Sequence, residues 1–410
     1  MDKIDNETTV VILDSDGLWG LGILRSLGRI GVPLYVASSN PQALAFCSRY
    51  CKGTVLSDIC DFTENSVLSL LSIGSKIGTR PILIPTTDRS VIFVAEHADA
   101  LRTRFTFPYQ SSDLIRSLCS KKELYYLAKK LKIPTPEAVF PNCKEDVFHF
   151  LETASFPIML KPIYARASVP LDKVIVHTPT ELVEKYEAME NPDYPNLMMQ
   201  ELIPGGDSAT WLFEGYFDES STSLFDVTGR KLRQWRRYHG LTSLGICLRN
   251  ETVERTTREF MKAIGYRGIV DIGYRYDARD GQYKILDFNP RIGATFRLFV
   301  GDNGMDVARA LYLDLTGQHV TPDSVTDGRK WLIEGLDFAS SALYILDGKM
   351  SITQWLSSYR GVREVAYFGF DDPLPFMHLS ARNLRAFSSQ IRVMVSLANQ
   401  RRPNRQTPAN

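Results

Sequence analysis

The chain has 410 residues, 44% of them hydrophobic and 23% charged, and 48 Lys+Arg against 47 Asp+Glu leave a formal net charge of +1. That length holds two or three domains with a sizeable core, and the composition is that of a soluble globular protein. A chain so near neutrality has no global field to recruit nucleic acid or an anionic membrane, which excludes both as expected partners.

In chain order, the polar and acidic start Met1–Thr9 lacks the basic and apolar regions of a signal peptide. Val10–Leu13 reads as a buried strand, then a glycine-bearing turn from Asp14, then a helix to Arg29 and a second strand at Leu34–Ala37. Strand, turn, helix, strand is a βαβ unit and predicts a parallel sheet. Gly17, Gly20 and Gly22 do not keep the dinucleotide spacing, and no acidic residue ends the second strand. They serve either tight helix–strand packing or close approach of a ligand. The six cysteines are scattered, and Cys47/Cys51 matches neither a zinc nor a redox spacing, so reduced thiols in a cytoplasmic protein are expected. Metal chemistry would then rest on oxygen ligands. Ile82–Pro85 is a further strand, ending in Thr86-Thr87-Asp88.

A second unit opens near Ser120. Leu124–Leu131 has helical spacing and is closed by Lys132-Ile-Pro-Thr-Pro. Phe156–Lys161 and Lys173–Val176 read as strands, Thr180–Met189 as a helix capped by Thr180, and Leu197–Ile203 as a strand ending in Pro204-Gly-Gly-Asp. Ala209–Phe217, Ser223–Thr228, Gly268–Tyr276 and Tyr283–Phe288 continue as strands, the last two joined by a hairpin through Asp280-Gly281. Residues after about 330 form a third segment, and the polar end Gln400–Asn410 is expected to be disordered.

Several residues along this path are poor structural choices and good chemical ones. Asp287, Asn289 and Arg291 alternate along an apolar strand, so they share one face. Hard oxygens suit Mg²⁺ and a guanidinium fork suits a phosphoryl group; the bland alternative is a solvated strand edge. The hairpin would bring Asp271 beside them as a second carboxylate, although a surface strand Asp is the plain reading. Lys161 ends an apolar strand, where its ammonium can reach a phosphate or simply snorkel to water. Lys121 starts a helix and offers a second such charge. The turn Gln200-Glu-Leu-Ile-Pro-Gly-Gly-Asp207 carries two carboxylates, and strand-end backbone there can hydrogen-bond an adenine edge. Gly229–Gly240 holds five basic and two aromatic side chains. Without a wider basic surface it reads as a lining for phosphate or carboxylate substrates, or as a solvated loop.

Taken in order, these pieces resemble the ATP-grasp superfamily, specifically its carboxylate–amine ligases. The motifs are Ser-Lys121-Lys with Ile-Pro-Thr-Pro downstream, Pro-Ile-Met-Leu-Lys161-Pro, Gln-Glu201-Leu-Ile-Pro-Gly-Gly-Asp207 and Asp287-Phe-Asn289-Pro-Arg291. The resemblance covers roughly residues 10–330. It implies an α/β plus α+β chain: a Rossmann-like domain at 1–117, a two-subdomain ATP-grasp domain at 118–330 (about 118–199 and 200–330), and a small C-terminal segment at 331–410. It also implies ATP with Mg²⁺, or Mn²⁺ in its place. Lys121 and Lys161 would hold phosphates, Gln200, Glu201, Leu202 and Ile203 the adenine, and Glu201 or Asp207 the ribose or adenine amine. Asp271, Asp287 and Asn289 would bind the ion. Arg291 would hold the transferred phosphoryl group, with Lys231 and Arg233 assisting, and Arg233, Arg236 or Arg237 would anchor a substrate carboxylate.

Two departures stand out. Many relatives carry a carboxylate where this chain has Gly273, a role Asp271 would have to take over. The loop after Lys161 lacks the glycines of a flexible lid, leaving Arg166 and Ser168 as phosphate contacts. The implied activity is joining a small-molecule carboxylate to an amine through an acyl phosphate, with an amino acid as one partner. The alternatives are an ATP-binding regulatory protein with reduced catalysis, or a small-molecule phosphotransferase on the same fold. A homodimer is compatible with this reading.

Overall fold

The computed structural model describes residues 4–56, 59, 62–164, 173–191, 193–235, 240–321 and 323–383. Its strands form three sheets. The first contains β1 (Val10–Leu13), β2 (Leu34–Ser38), β3 (Cys51–Leu56) and β4 (Ile82–Pro85), in the order β3-β2-β1-β4 and all parallel. Every side chain of β1 is fully buried, as expected for a central parallel strand covered on both faces. The helix Leu18–Gly28 makes the crossover and packs Ile23, Leu24 and Leu27 beneath the sheet. The predicted βαβ unit is therefore present.

The second sheet is antiparallel, in the order β5-β8-β6-β7, from β5 (Ala138–Val139), β6 (Ile158–Pro162), β7 (Val174–Val176) and β8 (Leu197–Glu201). The helix expected from Thr180 begins at Pro179, and its cap is Thr178, whose hydroxyl accepts the Glu181 amide at 3.2 Å. Proline's fixed φ and missing N–H suit the first helical position, which moves the cap one residue before it.

The third sheet runs β13-β12-β9-β10-β11-β14-β15. Its members are β9 (Thr210–Phe217), β10 (Ser223–Trp235), β11 (Leu241–Cys247), β12 (Gly268–Asp277), β13 (Gln282–Asn289), β14 (Lys330–Leu332) and β15 (Val362–Val365). The β12–β13 hairpin turns where expected, with Gly281 at φ +73° supplying a left-handed position. β10 runs seven residues beyond the predicted Thr228, so the basic stretch Arg230–Trp235 is strand rather than loop. Its register breaks around Lys231 and Arg233, which separates the directions of neighbouring basic side chains. The helix Glu251–Ile264 has no counterpart among the predicted elements; Asn250 caps its start and Gly265, at φ +64°, its end.

Residues beyond 330 extend this third sheet, since β14 pairs with β11 and β15 with β14. The chain then folds back onto the first unit. Arg25, 2% exposed, donates to the Asp372 carboxylate at 3.1 Å and to the carbonyls of Ala366, Tyr367 and Asp372. Ser48 and the Arg49 amide complete the hold on Asp372. A core shared by Ile23, Leu27, Phe296, Leu298 and Leu311 joins the first and third sheets and places the Asn289–Thr295 turn between them.

Candidate functional site

A cleft of about 410 Å³ opens between the second and third sheets, within the range of small-ligand sites. Met159 and Lys161 of β6, Lys173 just before β7, and Gln200–Ile203 line one wall. Thr210, Leu212, Lys231, Asp271, Gly273, Asp287 and Asn289 line the other, and Trp19 and Arg291 close one end.

The cations are crowded. Lys161 is 5% exposed; burial, then Lys173 and Lys121, hold its ammonium well below the usual lysine range. Burial also lowers Lys173, which Asp287 partly offsets. Burial and then Lys173 push Lys231 down to about 8, and its Nζ donates to the Gly240 carbonyl at 2.9 Å. Burial works against ionisation of Asp287, but Lys121, Lys173, Lys161 and Arg291 outweigh it and keep the carboxyl below its ordinary value. Buried like charges of this kind are costly unless an anion shares the space.

The β12–β13 register sets Asp271 opposite Asn289 and Gly273 opposite Asp287. Asn289 donates its amide nitrogen to Asp271 Oδ2 at 3.1 Å, and its Oδ1 accepts from Arg291 at 3.2 Å. Burial raises Asp271 to about 6, with Arg291 opposing and Asp287 adding to the rise. Among the described residues, no three His, Cys, Asp or Glu side chains form a metal cluster unaided. Mg²⁺ commonly takes one or two carboxylates and completes its shell with water and nucleotide phosphates. The hard-oxygen set Asp271, Asp287 and Asn289 fits that habit. Beside it, the fully buried Glu214 has an Oε2 without a hydrogen-bond partner.

Arg291 is anchored by the first unit. Its Nε donates to Asp88 Oδ1 at 2.7 Å, and its guanidinium carbon lies 5.9 Å from the Trp19 ring centre. Asp88 starts the helix that follows Thr86-Thr87, the strand-end motif seen in the sequence.

Several expected residues stand elsewhere. Arg233 is not at the cleft: 4% exposed, it makes a two-pronged contact with Asp337 at 2.9 and 2.7 Å and donates to Ser358 at 2.8 Å. The β10 irregularity turns it away from the face that Lys231 occupies. Asp207 does not line the cleft; its carboxylate accepts from Gln234 at 2.8 Å and from Tyr344. Glu201 does line it, but its carboxylate is already engaged by Arg279 at 2.9 Å, Lys284 at 3.5 Å and the Glu137 amide at 3.1 Å. Lys121 sits behind the lining and reaches the Ile163 carbonyl at 3.4 Å, while its charge still acts on Asp287. Arg166, Ser168, Arg236 and Arg237 fall outside the described residues.

Three residues escaped the sequence reading. Lys173 stands just before the apolar strand Val174–Val176, a lysine beside an apolar run much as Lys161 is, but at the strand's start rather than its close. Glu214 is a lone acid within Trp211-Leu-Phe-Glu-Gly-Tyr-Phe217, where a charge is unexpected. Trp19 carried no signal beyond its neighbouring glycines.

No family model matches the chain. It is 26% identical over 330 residues to a D-aspartate ligase from Enterococcus faecium, covering 75% of this chain and 77% of the relative. The L-amino acid ligase from Bacillus licheniformis superposes with a TM-score of 0.60 at 14% identity, over 78% of each chain. The biotin carboxylase domain of Hydrogenobacter thermophilus 2-oxoglutarate carboxylase, solved with MgADP, ADP and bicarbonate, gives 0.59 at 15% identity, over 80% of this chain and 74% of the other. At such identities the superpositions speak for the fold.

Proposed function

We propose that the chain is an ATP-grasp protein of the carboxylate–amine ligase type, and that its own cleft carries out ATP-dependent amide formation. The observation that carries the reading is the enclosure of Asp287 by Lys121, Lys161, Lys173 and Arg291 beside the Asp271–Asn289 pair. A buried, surplus-positive chamber with hard-oxygen donors on one wall suits a nucleotide polyphosphate.

A carboxylate does not acylate an amine at neutral pH, because its oxygen is too poor a leaving group. Transfer of a phosphoryl group from ATP turns that oxygen into phosphate, which the amine then displaces to form the amide. The protein's part is positioning and charge stabilisation. Lys161 and Lys173 hold the nucleotide phosphates, and the strand end Gln200–Ile203 borders the adenine. Asp271, Asp287 and Asn289 would hold Mg²⁺, which when bound neutralises and orients the phosphate oxygens. Arg291, oriented by Asp88, faces the transferred group, and Lys231 stabilises charge on the acyl phosphate or the leaving phosphate. The geometry favours Lys161 and Lys173 as the main phosphate lysines, with Lys121 acting from behind.

Similarity to a D-aspartate ligase supports an amino acid as one substrate. No helix among the described residues is long and apolar enough to cross a membrane. Cys47, Cys51, Cys119, Cys143 and Cys247 are free thiols, which supports a reducing, cytoplasmic setting. Asp287→Asn keeps shape but removes the charge, so this variant is expected to melt like the parent while ADP formation disappears. Undiminished turnover in that variant would remove the ion assignment.

A further inference from the structure

The Asn289–Thr295 turn has a buried support that the reaction scheme leaves unused. Glu214 sits mid-strand in β9 and is 0% exposed. It stands opposite Asp271, which stands opposite Asn289, so the three form one row across three adjacent strands. Directly opposed residues share a face, and the row ends at the cleft.

Glu214 Oε1 accepts the Gly293 amide at 3.1 Å, whereas Oε2 is buried without a hydrogen-bond partner. A Cβ on Gly293 would lie 2.5 Å from Asp271 Oδ2 and 2.7 Å from Glu214 Oε2. Both carboxyl groups and the Gly293 backbone therefore converge on one point, where only glycine fits. A fully buried carboxyl group with half its acceptors unused costs stability. The Glu214 carboxyl does hold the backbone that delivers Asn289 and Arg291, and its residue stands opposite Asp271 in the neighbouring strand.

We propose that Glu214 is a positioning residue for the reaction: its side-chain oxygen clamps Gly293 and fixes the turn that aims Asn289 and Arg291 into the cleft. This rests on the reading of Asp271, Asp287 and Asn289 as the residues that hold the ion. A residue of this kind acts on metal affinity through the ligands it orients, typically by roughly 10–100-fold.

The test uses the full chain with Glu214→Gln, Glu214→Leu and Gly293→Ala. Hydrogen exchange of peptides spanning 289–295 reports the turn without any ligand. Electron paramagnetic resonance of Mn²⁺ with a non-hydrolysable ATP analogue reports the ion site. Glu214→Gln keeps an oxygen for the Gly293 amide and is expected to match the parent in both. Glu214→Leu should exchange faster in that turn and need roughly 10–100-fold more Mn²⁺ for half-saturation. Wild-type exchange and Mn²⁺ affinity in Glu214→Leu would overturn the proposal, and so would a Glu214→Gln variant as impaired as Glu214→Leu. Should Glu214→Leu fail to fold, Gly293→Ala decides: its Cβ displaces both carboxyl groups and weakens Mn²⁺, and unchanged affinity would overturn the proposal. If the parent binds no Mn²⁺–nucleotide, the ligase reading falls, and the exchange comparison still judges Glu214.

Discussion

Lys231 shows how burial sets a side chain's chemistry. It lies in the cleft with Lys173 nearby, and desolvation leads the fall of its ammonium to about 8. Below that pH it is a cation able to steady an anionic substrate, and above it the charge is lost. The sign follows directly: kcat/KM, which reports the free enzyme, is expected to descend as pH rises through about 8. Lys231→Arg keeps its charge and should abolish that limb of the profile while leaving the acid side in place. A descending limb that persists unchanged in Lys231→Arg would assign the titration to another group. The stability contribution has the matching sign. A lysine whose folded value lies below its unfolded one penalises the fold while protonated, and this penalty is relieved as pH rises from about 8 towards the unfolded lysine value.

At the scale of elements, β10 separates two jobs within three residues. Lys231 lines the cleft, while Arg233 is sealed against Asp337 of the helix Glu334–Leu346, where Ser243 and Tyr359 also reach the carboxylate at 3.1 and 2.9 Å. Removing one partner of a buried ion pair strands the other, at a cost of about 3–5 kcal/mol. Arg233→Met is therefore expected to lower stability by that order in urea melts, with KM for ATP unchanged; a large rise in KM at parental stability would return Arg233 to the substrate. The same strand shows what the sequence made legible. β1, β4 and the β12–β13 hairpin were readable because apolar runs, strand-end punctuation and Asp280-Gly281 act locally. Asp287 and Asn289 were readable because alternation along β13 puts them on one face; Arg291 lies just beyond the strand and reaches the cleft through the turn. The direction of Arg233 was not, since it depends on a register irregularity against β11. Asp207 was misplaced for a similar reason: its partners Gln234 and Tyr344 are 27 and 137 residues away. Glu214 acquires its meaning only when β9 is paired with β12.

Across the whole molecule, three sheets divide the work. The second and third make the walls of the cleft, and the first reaches its end through Trp19 and through Asp88, which holds Arg291. The C-terminal strands close the third sheet, and Asp371 and Asp372 tie it back to Arg29 and Arg25 on the first unit. The arrangement brings Lys161, Lys173 and Lys231, the oxygen donors Asp271, Asp287 and Asn289, and Arg291 held by Asp88 of the first unit to one chamber, the placement that the proposed amide formation needs. The most direct test is ADP release from the purified chain with Mg²⁺ and ATP, across pairs of amino acids given singly and together, with product masses recorded. ADP release is expected to require both a carboxylate and an amine and to yield a product whose mass is their sum less one water; ATP binding without turnover for any pair, or ADP release with one substrate alone and a phosphorylated product, would contradict the ligase reading.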